Sequence, residues 1–460
     1  MIIGLYRINT IPIGVWTDEI EISMAGKGAL DSMMDTKNFI PFTPEATGHP
    51  GLTAILTGMG INVFGKTIMG LRFPSVLFGA LGALAFYYLL REKFSMTTSF
   101  LVSLLFSSSY WHLSLSRLAY EASFYWFFQV LCLIFLIRFL KYKSIKYLSL
   151  VGLFAGLGIY TYLAFRIFAI GLIFVILLSS LIQKIKPSKI ILGLIIFSVS
   201  LGAVISPIFI YSRQWPEQIY QRSSDLSVFN PKFDSINRVQ MIADNSLKTL
   251  MMLGIKGDPN YRHNPAQKPV LDFLTFVLLI WGTIQLFKKK DYSMIAIIAI
   301  VGAISAANGV FTYEPPYITQ PHSLRTLGIM PLLYLTIAYA FDFLKTKLKT
   351  KPIPFLLILV IIGINLYTYF NVPVTPALAD ATQYNFTQVS LIAAKSCDKA
   401  LVISPSLINQ THYNFFASKC KYTKYDKTIT SETAFFILDS NDSQILQEKG
   451  STNYVTVEAK

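Results

Sequence analysis

Charged residues are scarce in this sequence, and their scarcity limits the kind of protein it can encode. Asp, Glu, Lys and Arg make up only 14 % of the 460 residues, whereas hydrophobic residues make up 53 % and aromatic residues 14 %. A typical soluble domain has about 25 % charged residues. The composition therefore excludes an ordinary soluble domain and predicts a chain that crosses a membrane many times.

Histidine and cysteine are also few. The five histidines show no HxxxH or HxH spacing, so the sequence predicts no metal site and no cofactor. Of the three cysteines, Cys132 lies in an apolar run, where packing is the expected role. Cys397 and Cys420 lie near the C-terminus and are able to close a disulfide-bonded loop in an oxidising compartment.

Acidic residues are outnumbered, with 25 Asp and Glu against 40 Lys and Arg, which gives a formal net charge of +15. An excess of basic residues is typical of nucleic-acid-binding proteins when it is clustered on one element with aromatic residues between the charges. In this chain the basic clusters are instead spread along the sequence. The sequence thus predicts no nucleic-acid partner.

Long apolar runs dominate the middle of the chain. About 20 apolar residues span a bilayer, so runs of this size predict membrane-crossing helices. Ten candidates follow, at 72–90, 96–113, 120–139, 147–164, 166–183, 190–210, 270–287, 293–311, 326–344 and 353–370. The expected fold class is mainly α, a polytopic bundle of about ten transmembrane helices.

The loops between these runs alternate in character, which predicts their sides of the membrane. One set is short and basic, and the positive-inside rule assigns it to the cytoplasm: 91–93, 138–146, 184–189, 288–290 and 345–351. The other set has isolated charges, aromatic residues and prolines and is expected outside: the first 70 residues, 112–121, 160–166, 211–269, 312–325 and the chain after 371. The protein is thus predicted to be a multi-pass protein of the cell membrane with its C-terminus outside.

The N-terminal stretch MIIGLYRINTIPIG has no basic n-region to carry it across a membrane. An even number of crossings with an external C-terminus also places the N-terminus outside. We therefore expect one further helix before this stretch, so that the chain is a truncated or mis-started reading frame. The alternative is a fragment that inserts unaided.

Three carboxylates, Asp18, Glu19 and Glu21, are clustered in IPIGVWTDEIEISMAGKGALD, residues 11–31, inside the first external loop. The stretch predicts a turn followed by an amphipathic helix, with Thr17 or Asp18 at its N-cap. Helix capping is the structural interpretation of Asp18, and it needs no catalytic role.

The C-terminal part reads as a small external α/β domain. Strands are expected at 400–406, 421–425, 434–440 and 454–459, with helices at 376–395 and 407–417. The predicted organisation is thus an external first loop with juxtamembrane helices (1–71), a transmembrane core (72–370) that includes the long external loop 211–269, and the α/β domain (371–460).

Several motifs in their order along the chain resemble the GT-C superfamily of polytopic glycosyltransferases, which includes protein O-mannosyltransferases and the lipid A aminoarabinose transferase. They are GVWTDE, GHPGL, SRLAYEASFYWFFQ, GLGIYTYLAFR, HNPAQKPVLDF and EPPYITQPHSLRTLGIMPLLY, within residues 1 to 370. The resemblance implies transfer of a sugar from a polyisoprenyl-phosphate carrier to a glycan, lipid or protein acceptor on the extracytoplasmic face. It implies no cofactor.

The resemblance also implies site residues, all on external edges of the chain. The general base maps onto Asp18, with Glu19 as the second member of the pair. Such a reaction needs cations and hydrogen-bond donors around the departing phosphate. The candidates for contacts with the substrates are Arg72, Arg117, Tyr160, Tyr162, Arg166, Arg222, Tyr261, Arg262, Tyr313, His322 and Arg325.

Two other classes of protein remain open from the residues. A transporter or lipid-carrier flippase would also have many apolar helices, but the sequence has no inverted repeat and no acid or base at mid-helix depth. A non-catalytic membrane scaffold is the third interpretation, since each lone arginine near a membrane surface is also explained by snorkelling to lipid headgroups.

Overall fold

The computed structural model describes residues 1–36, 42–43, 49–233, 237–313, 320–347, 352–426, 434–440, 442–444 and 454–457. Nineteen α-helices lie within these ranges. They are α1 (Ile2–Leu5), α2 (Thr17–Thr36), α3 (Gly51–Phe64), α4 (Ile68–Arg91), α5 (Met96–Ser108), α6 (Tyr110–Ser116), α7 (Ala122–Tyr142), α8 (Lys146–Ile159), α9 (Phe165–Ile182), α10 (Pro187–Gln214), α11 (Pro216–Asp225), α12 (Arg238–Met251), α13 (Phe273–Lys288), α14 (Tyr292–Val310), α15 (Met330–Lys347), α16 (Pro352–Phe370), α17 (Pro376–Ala381), α18 (Tyr384–Lys395) and α19 (Gln410–Phe416).

The apolar runs of the sequence form the helices of the bundle, as predicted. In the described ranges, seven helices are long and apolar enough to cross a membrane, namely α4, α7, α9, α10, α14, α15 and α16, with α15 counted from Leu327. Three further predicted spans are shorter apolar helices: α5, α8 and α13. The run 96–113 is divided into α5 and α6 because Ser109 is extended and its side chain accepts the His112 N–H, which starts a new helix.

Helices α7 and α15 form the centre of the bundle, and α10 lies at its edge. In the most apolar window of both α7 and α15, 78 % of the residues are buried, against 17 % in α10. Trp111 and Trp126 are fully buried in this core. An apolar helix that is so little covered by protein is expected to face lipid.

The basic loops meet at one end of the bundle. Arg138 donates to Glu92 at 2.7 Å, Lys93 pairs with Asp291, and Lys143 bonds Gln183. Lys289 also pairs with Asp342 at 3.1 Å. Loops that the positive-inside rule assigns to one side are therefore in contact with one another, while residues 348–351 of the last one lie outside the described ranges.

The chain after 371 folds as predicted into helices and a small sheet. Strands β1 (Phe42–Thr43) and β2 (His49–Pro50) pair in the first loop, whereas β3 (Ala400–Ile403), β4 (Tyr422–Lys424), β5 (Ala434–Leu438) and β6 (Tyr454–Thr456) form a parallel sheet in the order β4-β3-β5-β6. Cys397 and Cys420 form a disulfide. Helices α17 to α19 lie on the bundle side of this region, where they contact the first loop.

The acidic stretch forms helix α2, but its cap differs from the prediction. The helix begins at Thr17, so Thr17 and Asp18 are its first two residues. Glu19, one residue further, accepts a hydrogen bond from the Trp16 N–H at 3.1 Å. This reach from the third helical position back to the residue before the helix is half of a capping box, and Glu19 forms it, not Thr17 or Asp18.

Candidate active site

A cavity of about 450 Å³ lies at the end of the bundle opposite the basic loops. Its walls come from the start of α2, the turn between α8 and α9, the loop after α12 and the segment before α15. Six of the predicted site residues line it together: Asp18, Tyr162, Arg166, Arg262, His322 and Arg325. The sequence separates these residues by as much as 307 positions, so only the fold brings them to one place.

Asp18 and Glu19 differ sharply in their surroundings although they are neighbours. Asp18 is half-buried and lines the cavity. Glu19 is 1 % exposed and accepts from both Nε (3.0 Å) and Nη2 (2.9 Å) of Arg72, as well as from the Ala119 N–H at 2.8 Å. With the Trp16 N–H, the Glu19 carboxylate has four hydrogen bonds, so it is fully occupied in holding the start of α2 against α4.

Arg72 and Arg117 bind protein backbone around the first loop. Besides Glu19, Arg72 donates to the carbonyl oxygens of Pro12 at 2.9 Å and Gly14 at 2.6 Å. Arg117 is fully buried, and its two Nη atoms donate to four carbonyl oxygens of the first loop, those of Ile3, Gly4, Tyr6 and Ile11. These two guanidinium groups therefore fix the path of residues 3–14 that leads to Asp18.

The C-terminal region holds the same loop from the other side. Gln383 accepts from the Thr17 N–H (2.6 Å) and hydroxyl (2.7 Å), and Thr387 accepts from the Val15 N–H at 2.9 Å. Gly14 adopts φ +63°, and a Cβ there would collide with the Thr382 carbonyl group. Only glycine allows this close approach without strain, so the residues just before Asp18 are fixed between the bundle and α18.

Arg262 reaches the cavity from the loop after α12. Its guanidinium group stacks over the Trp16 ring at 3.7 Å, and Asn260 Oδ1 accepts from its backbone N–H at 3.0 Å. The Trp16 ring in turn stacks on Tyr120 at 5.8 Å. Burial lowers the pKa of Arg262, and the carboxylates of Asp18 and Asp258 act in the opposite direction. A guanidinium group stays protonated under these conditions, so Arg262 brings a positive charge close to Asp18.

Asp258 links the loop after α12 to the segment before α15. Its Oδ2 accepts from both the N–H and the hydroxyl of Ser323 at 2.7 Å, and its Oδ1 accepts from the Asn260 N–H at 2.8 Å. Burial alone would raise the pKa of Asp258, but the neighbouring imidazoles of His263 and His322 and the hydrogen bond from the Asn260 N–H outweigh it, so the pKa is lowered. A buried carboxylate thus stays ionised and fixes the turn that presents His322 and Arg325.

Asp258, His263 and His322 are also the residues that could hold a metal ion. Their ligand atoms all lie within 4.8 Å of one another, and all three side chains are buried. Yet Asp258 already accepts three hydrogen bonds from protein, and His322 Nδ1 accepts from the Arg325 N–H at 3.3 Å, which places the proton of a neutral imidazole on Nε2. A metal ligand needs a free lone pair. His263 Nδ1 lies 3.8 Å from Asp258 Oδ2 and makes no hydrogen bond. Hydrogen bonds within the protein thus occupy Asp258 and His322 but not His263, and no step of the chemistry below uses a metal.

The start of α9 is anchored in a similar way. The Leu52 N–H donates to the Tyr160 carbonyl at 3.1 Å, and the Thr53 hydroxyl donates to the Thr161 carbonyl at 2.8 Å. Helix α3 therefore fixes the turn that carries Tyr162 and Arg166 into the cavity.

The other predicted site residues lie outside this cavity. Tyr160 is buried, and its hydroxyl donates to the Val204 carbonyl at 2.9 Å. Tyr261 lines a groove on the outer side of Arg262, and Tyr313 lines a separate pocket beside α12. Arg222 belongs to α11, but its side chain lies outside the described residues.

The cavity therefore has a clear chemical character. Three guanidinium groups, from Arg166, Arg262 and Arg325, line it together with the carboxylates of Asp18 and Glu121. Arginines gathered in a partly desolvated pocket favour an anion with several oxygens, such as a phosphate. A carboxylate beside them is suited to accept a proton from a hydroxyl group.

Part of the chain is similar to a known protein family. Residues 48–206 match the family model described as dolichyl-phosphate-mannose-protein mannosyltransferase. Comparison with curated protein sequences gives no match.

Solved structures resemble the chain over nearly its whole length. ArnT from Cupriavidus metallidurans, bound to undecaprenyl phosphate, has a TM-score of 0.52 and 12 % identity, covering 98 % of this chain and 87 % of that one. The archaeal oligosaccharyltransferase AglB from Archaeoglobus fulgidus, in complex with an inhibitory peptide and a dolichol-phosphate, has a TM-score of 0.51 and 11 % identity. That match covers 90 % of this chain and 61 % of the AglB chain, so the chain spans less than two thirds of AglB. The chain has the GT-C fold.

This result confirms the resemblance and the fold class inferred from the sequence. The seven span-capable helices together with the GT-C fold make the chain a multi-pass membrane protein. Among the described residues, the cavity lies where the loops expected outside the membrane converge on the end of the GT-C bundle.

Sequence reasoning missed several residues of the cavity. Trp16, Tyr120 and Asn308 line it, and Asp258 supports it. An asparagine in the apolar helix α14 is a signal that could have been used, because polar residues at membrane depth are costly and are retained for a role. Trp16 lies beside the acidic pair, but no spacing pattern marks an aromatic residue as a cavity wall.

Proposed function

We propose that this protein is a membrane glycosyltransferase that moves a sugar from a polyisoprenyl-phosphate carrier to an acceptor hydroxyl group, with the cavity and the C-terminal domain on the extracytoplasmic side. The observation that carries the proposal is one half-buried carboxylate, Asp18, in a cavity lined by Arg166, Arg262 and Arg325. The fold is that of ArnT and AglB, whose structures contain undecaprenyl phosphate and dolichol-phosphate.

In the proposed reaction Asp18 is the general base. It takes the proton of the acceptor hydroxyl as the oxygen attacks the anomeric carbon of the sugar. The bond between the anomeric carbon and the phosphate oxygen breaks, and its electron pair leaves with the carrier phosphate. The bundle and the C-terminal region both hold the backbone just before Asp18, and the Asp18 side chain lines the cavity. This arrangement is suited to a positioned base.

The guanidinium groups of Arg166, Arg262 and Arg325 are assigned to the carrier phosphate. Charge increases on that phosphate as the sugar departs, and fixed cations in a partly dry cavity stabilise such charge more than water does. His322 and Tyr162 are assigned as further hydrogen-bonding groups around the sugar phosphate.

The polyisoprenyl chain also has a place beside this cavity. Ile167 and Phe311 line the cavity and are 46 % and 40 % exposed. Both lie at ends of helices that are long and apolar enough to span, α9 and α14. A lipid tail is expected to leave the cavity across these apolar side chains into the bilayer.

The proposal assigns supporting roles to the remaining candidates. Glu19, Arg72 and Arg117 position the first loop, because Glu19 is bonded to Arg72 and both guanidinium groups donate to backbone carbonyl groups of that loop. The transporter alternative would place ionisable groups along a path through the bilayer, whereas the cavity residues lie in loops or at helix ends.

A transfer assay with matched variants tests the proposal. Purified protein in lipid nanodiscs is supplied with undecaprenyl-phosphate-linked hexoses and pentoses and a total extract of surface glycans and proteins, and the release of undecaprenyl phosphate is measured. Asp18→Asn should lower the rate by about 10²- to 10⁴-fold, because an amide cannot accept the proton. It should leave undecaprenyl-phosphate binding intact.

Asp31→Asn is the control, since Asp31 is on the same helix and pairs with Lys27 at 2.8 Å, away from the cavity. This variant should keep the wild-type rate. Wild-type turnover by Asp18→Asn would remove Asp18 from the chemistry and leave it as a residue of the first helical turn.

A further inference from the structure

A second depression, the outer groove, lies on the far side of Trp16 from the cavity. It has a volume of about 710 Å³ and is formed by residues 259–262 of the loop after α12, by residues 379–386 of α17 and α18, and by Ser406 and Leu407. Its walls belong to loops and to the C-terminal region, so it opens away from the span-capable helices. A molecule reaching it comes from the aqueous side.

The side chains of the outer groove combine aromatic faces with amides. Trp16, Tyr261 and Phe386 supply the rings, while Asn260, Gln383 and Asn385 supply amide groups. Among the described residues, the charged ones in the lining are Asp380 and Arg262, one of each sign, and the Arg262 charge is stacked on Trp16. The groove is therefore polar but close to neutral, in contrast to the arginine-rich cavity.

The outer groove and the cavity are adjacent. Trp16 and Arg262 line both spaces, so their stacked pair is the partition between them. Asp18 is two residues beyond Trp16 and faces the cavity side of the same partition. An acceptor lying in the groove would thus present its end at Trp16, next to the proposed base and opposite the carrier phosphate.

We propose that the outer groove binds the acceptor and that the acceptor is a carbohydrate chain. This inference rests on the proposed transfer reaction and names its acceptor. A sugar ring has an apolar C–H face, which packs on an aromatic ring, and a rim of hydroxyl groups, each of which donates and accepts hydrogen bonds as amides do. The groove offers both kinds of partner and no concentration of charge.

A polypeptide acceptor fits the outer groove less well. Extended peptides commonly bind by adding a strand to a sheet edge, or by placing side chains in apolar pockets. The groove is walled by helices α17 and α18 and by a loop, and its rings alternate with amides instead of forming one apolar pocket. A lipid acceptor would need an apolar route to the bilayer, and the cavity has such a route at Ile167 and Phe311 whereas the groove lies beyond it.

Binding to the Asp18→Asn protein tests the groove without turnover. The probes are mannopentaose, maltopentaose and chitopentaose, with a Ser/Thr-rich peptide as the contrasting arm, and affinity is measured by calorimetry and by quenching of tryptophan fluorescence. At least one oligosaccharide should bind and the peptide should not. Phe386→Ala should weaken this binding by about tenfold, as expected for loss of one aromatic contact.

Asp380→Asn keeps the shape of the groove and replaces one acceptor of hydrogen bonds. It therefore provides a second test of the groove if the Phe386→Ala protein does not fold. It should raise the KM for the oligosaccharide while kcat and the KM for the carrier-linked sugar stay at wild-type values. Asp398→Asn, an exposed position of the same domain outside the groove, is the control and should change neither constant.

The outcomes separate this inference from the proposed function. Oligosaccharide binding that is lost with Phe386→Ala, but no transfer by the wild-type protein, would support the groove and contradict the reaction. Transfer to the peptide, or oligosaccharide binding unchanged by both groove variants, would overturn the inference and leave the reaction standing.

Discussion

Two groups of charged residues meet at the end of the bundle opposite the basic loops, and local sequence patterns do not distinguish them. The scaffold charges are Glu19, Arg72 and Arg117, and the cavity charges are Asp18, Arg166, Arg262 and Arg325. The scaffold charges are at most 1 % exposed, and they form hydrogen bonds with one another or with backbone carbonyl groups. The cavity charges instead line a space large enough for a ligand.

The comparison shows that similar side chains have different roles in this fold. A buried charge is stable only when it is paired and hydrogen-bonded within the protein, so the scaffold charges have little left to offer a substrate. Of the cavity charges, Arg262 is held by the Trp16 ring and by Asn260, and all four line the cavity.

The largest expected effect breaks the scaffold group. Glu19→Gln should lower the free energy of unfolding by about 3 to 5 kcal/mol, because it leaves the fully buried Arg72 without its charge partner. Arg72→Ala should have an effect of the same size. Thermal unfolding in detergent measures both, with Asp18→Asn as the matched control that should unfold like the wild type.

This outcome would give Glu19 a structural role, whereas the resemblance implies that it is the second member of a catalytic pair. A Glu19→Gln protein that is as stable as the wild type but inactive would show that Glu19 takes part in the reaction. The distinction between scaffold charges and cavity charges would then be wrong.

The next effect concerns the cavity group. Arg325→Ala should weaken binding of undecaprenyl phosphate by about ten- to a hundredfold, since a hydrogen bond to a charged group contributes about 1.5 to 3 kcal/mol. Arg325→Lys should restore part of the affinity, because an ammonium group keeps the charge but cannot form two parallel bonds. Binding is measured by native mass spectrometry.

Arg213→Ala is the control for this series, because Arg213 is exposed at the end of α10 and lies outside the cavity lining. Equal affinity of the wild type, the Arg325→Ala variant and this control would take Arg325 out of the phosphate site.

The sequence predicts the helices well and the two groups poorly, for one physical reason. Apolar runs report directly on the lipid environment, so nine of the ten runs became single helices and only 96–113 was divided, at a serine cap. The cluster of Asp18 with the external arginines followed from the resemblance and the shared face of the loops. The roles of the individual arginines depend on partners that are distant in the chain.

Three cases show what the sequence lacked. Arg72 and Glu19 are 53 residues apart, and Asp258 and Ser323 are 65 apart, so no local spacing indicates that they bond. Gln383 and Thr387 hold the loop before Asp18 from more than 360 residues away. Their contacts depend on how the C-terminal region docks, which composition and periodicity do not encode.

The pH dependence of stability sharpens the comparison at His322, which faces the cavity arginines. Burial, with the charges of Arg325 and Arg262, holds the pKa of His322 well below its ordinary 6.5, against the opposing effect of Asp258. Below about pH 6.5 the unfolded chain therefore binds a proton that the folded chain does not. The free energy of unfolding should fall as the pH drops from 6.5, by at most about 1.4 kcal/mol per pH unit for this group.

Melting temperatures between pH 4 and pH 8 measure this slope, and His322→Gln should flatten it. His412, whose pKa burial also lowers, contributes in the same direction, so His412→Gln is the comparison variant. An equally steep acid slope in the His322→Gln protein would show that His322 is not held neutral in the cavity.

The smallest expected effect tests whether the C-terminal region serves the cavity group. Thr387→Val removes the acceptor of the Val15 N–H. Because Asp18 is then positioned less well, the activation free energy should rise by about 1 kcal/mol, which corresponds to about a fivefold lower kcat. The KM for the carrier-linked sugar should not change, because the arginines of the cavity do not depend on this bond. Thr387→Ser keeps the hydroxyl group and should restore kcat, which a purely structural defect of the missing methyl group would not allow. A wild-type kcat in the Thr387→Val protein would show that the Thr387 hydrogen bond is not needed to position Asp18, and that the other contacts of this loop are sufficient.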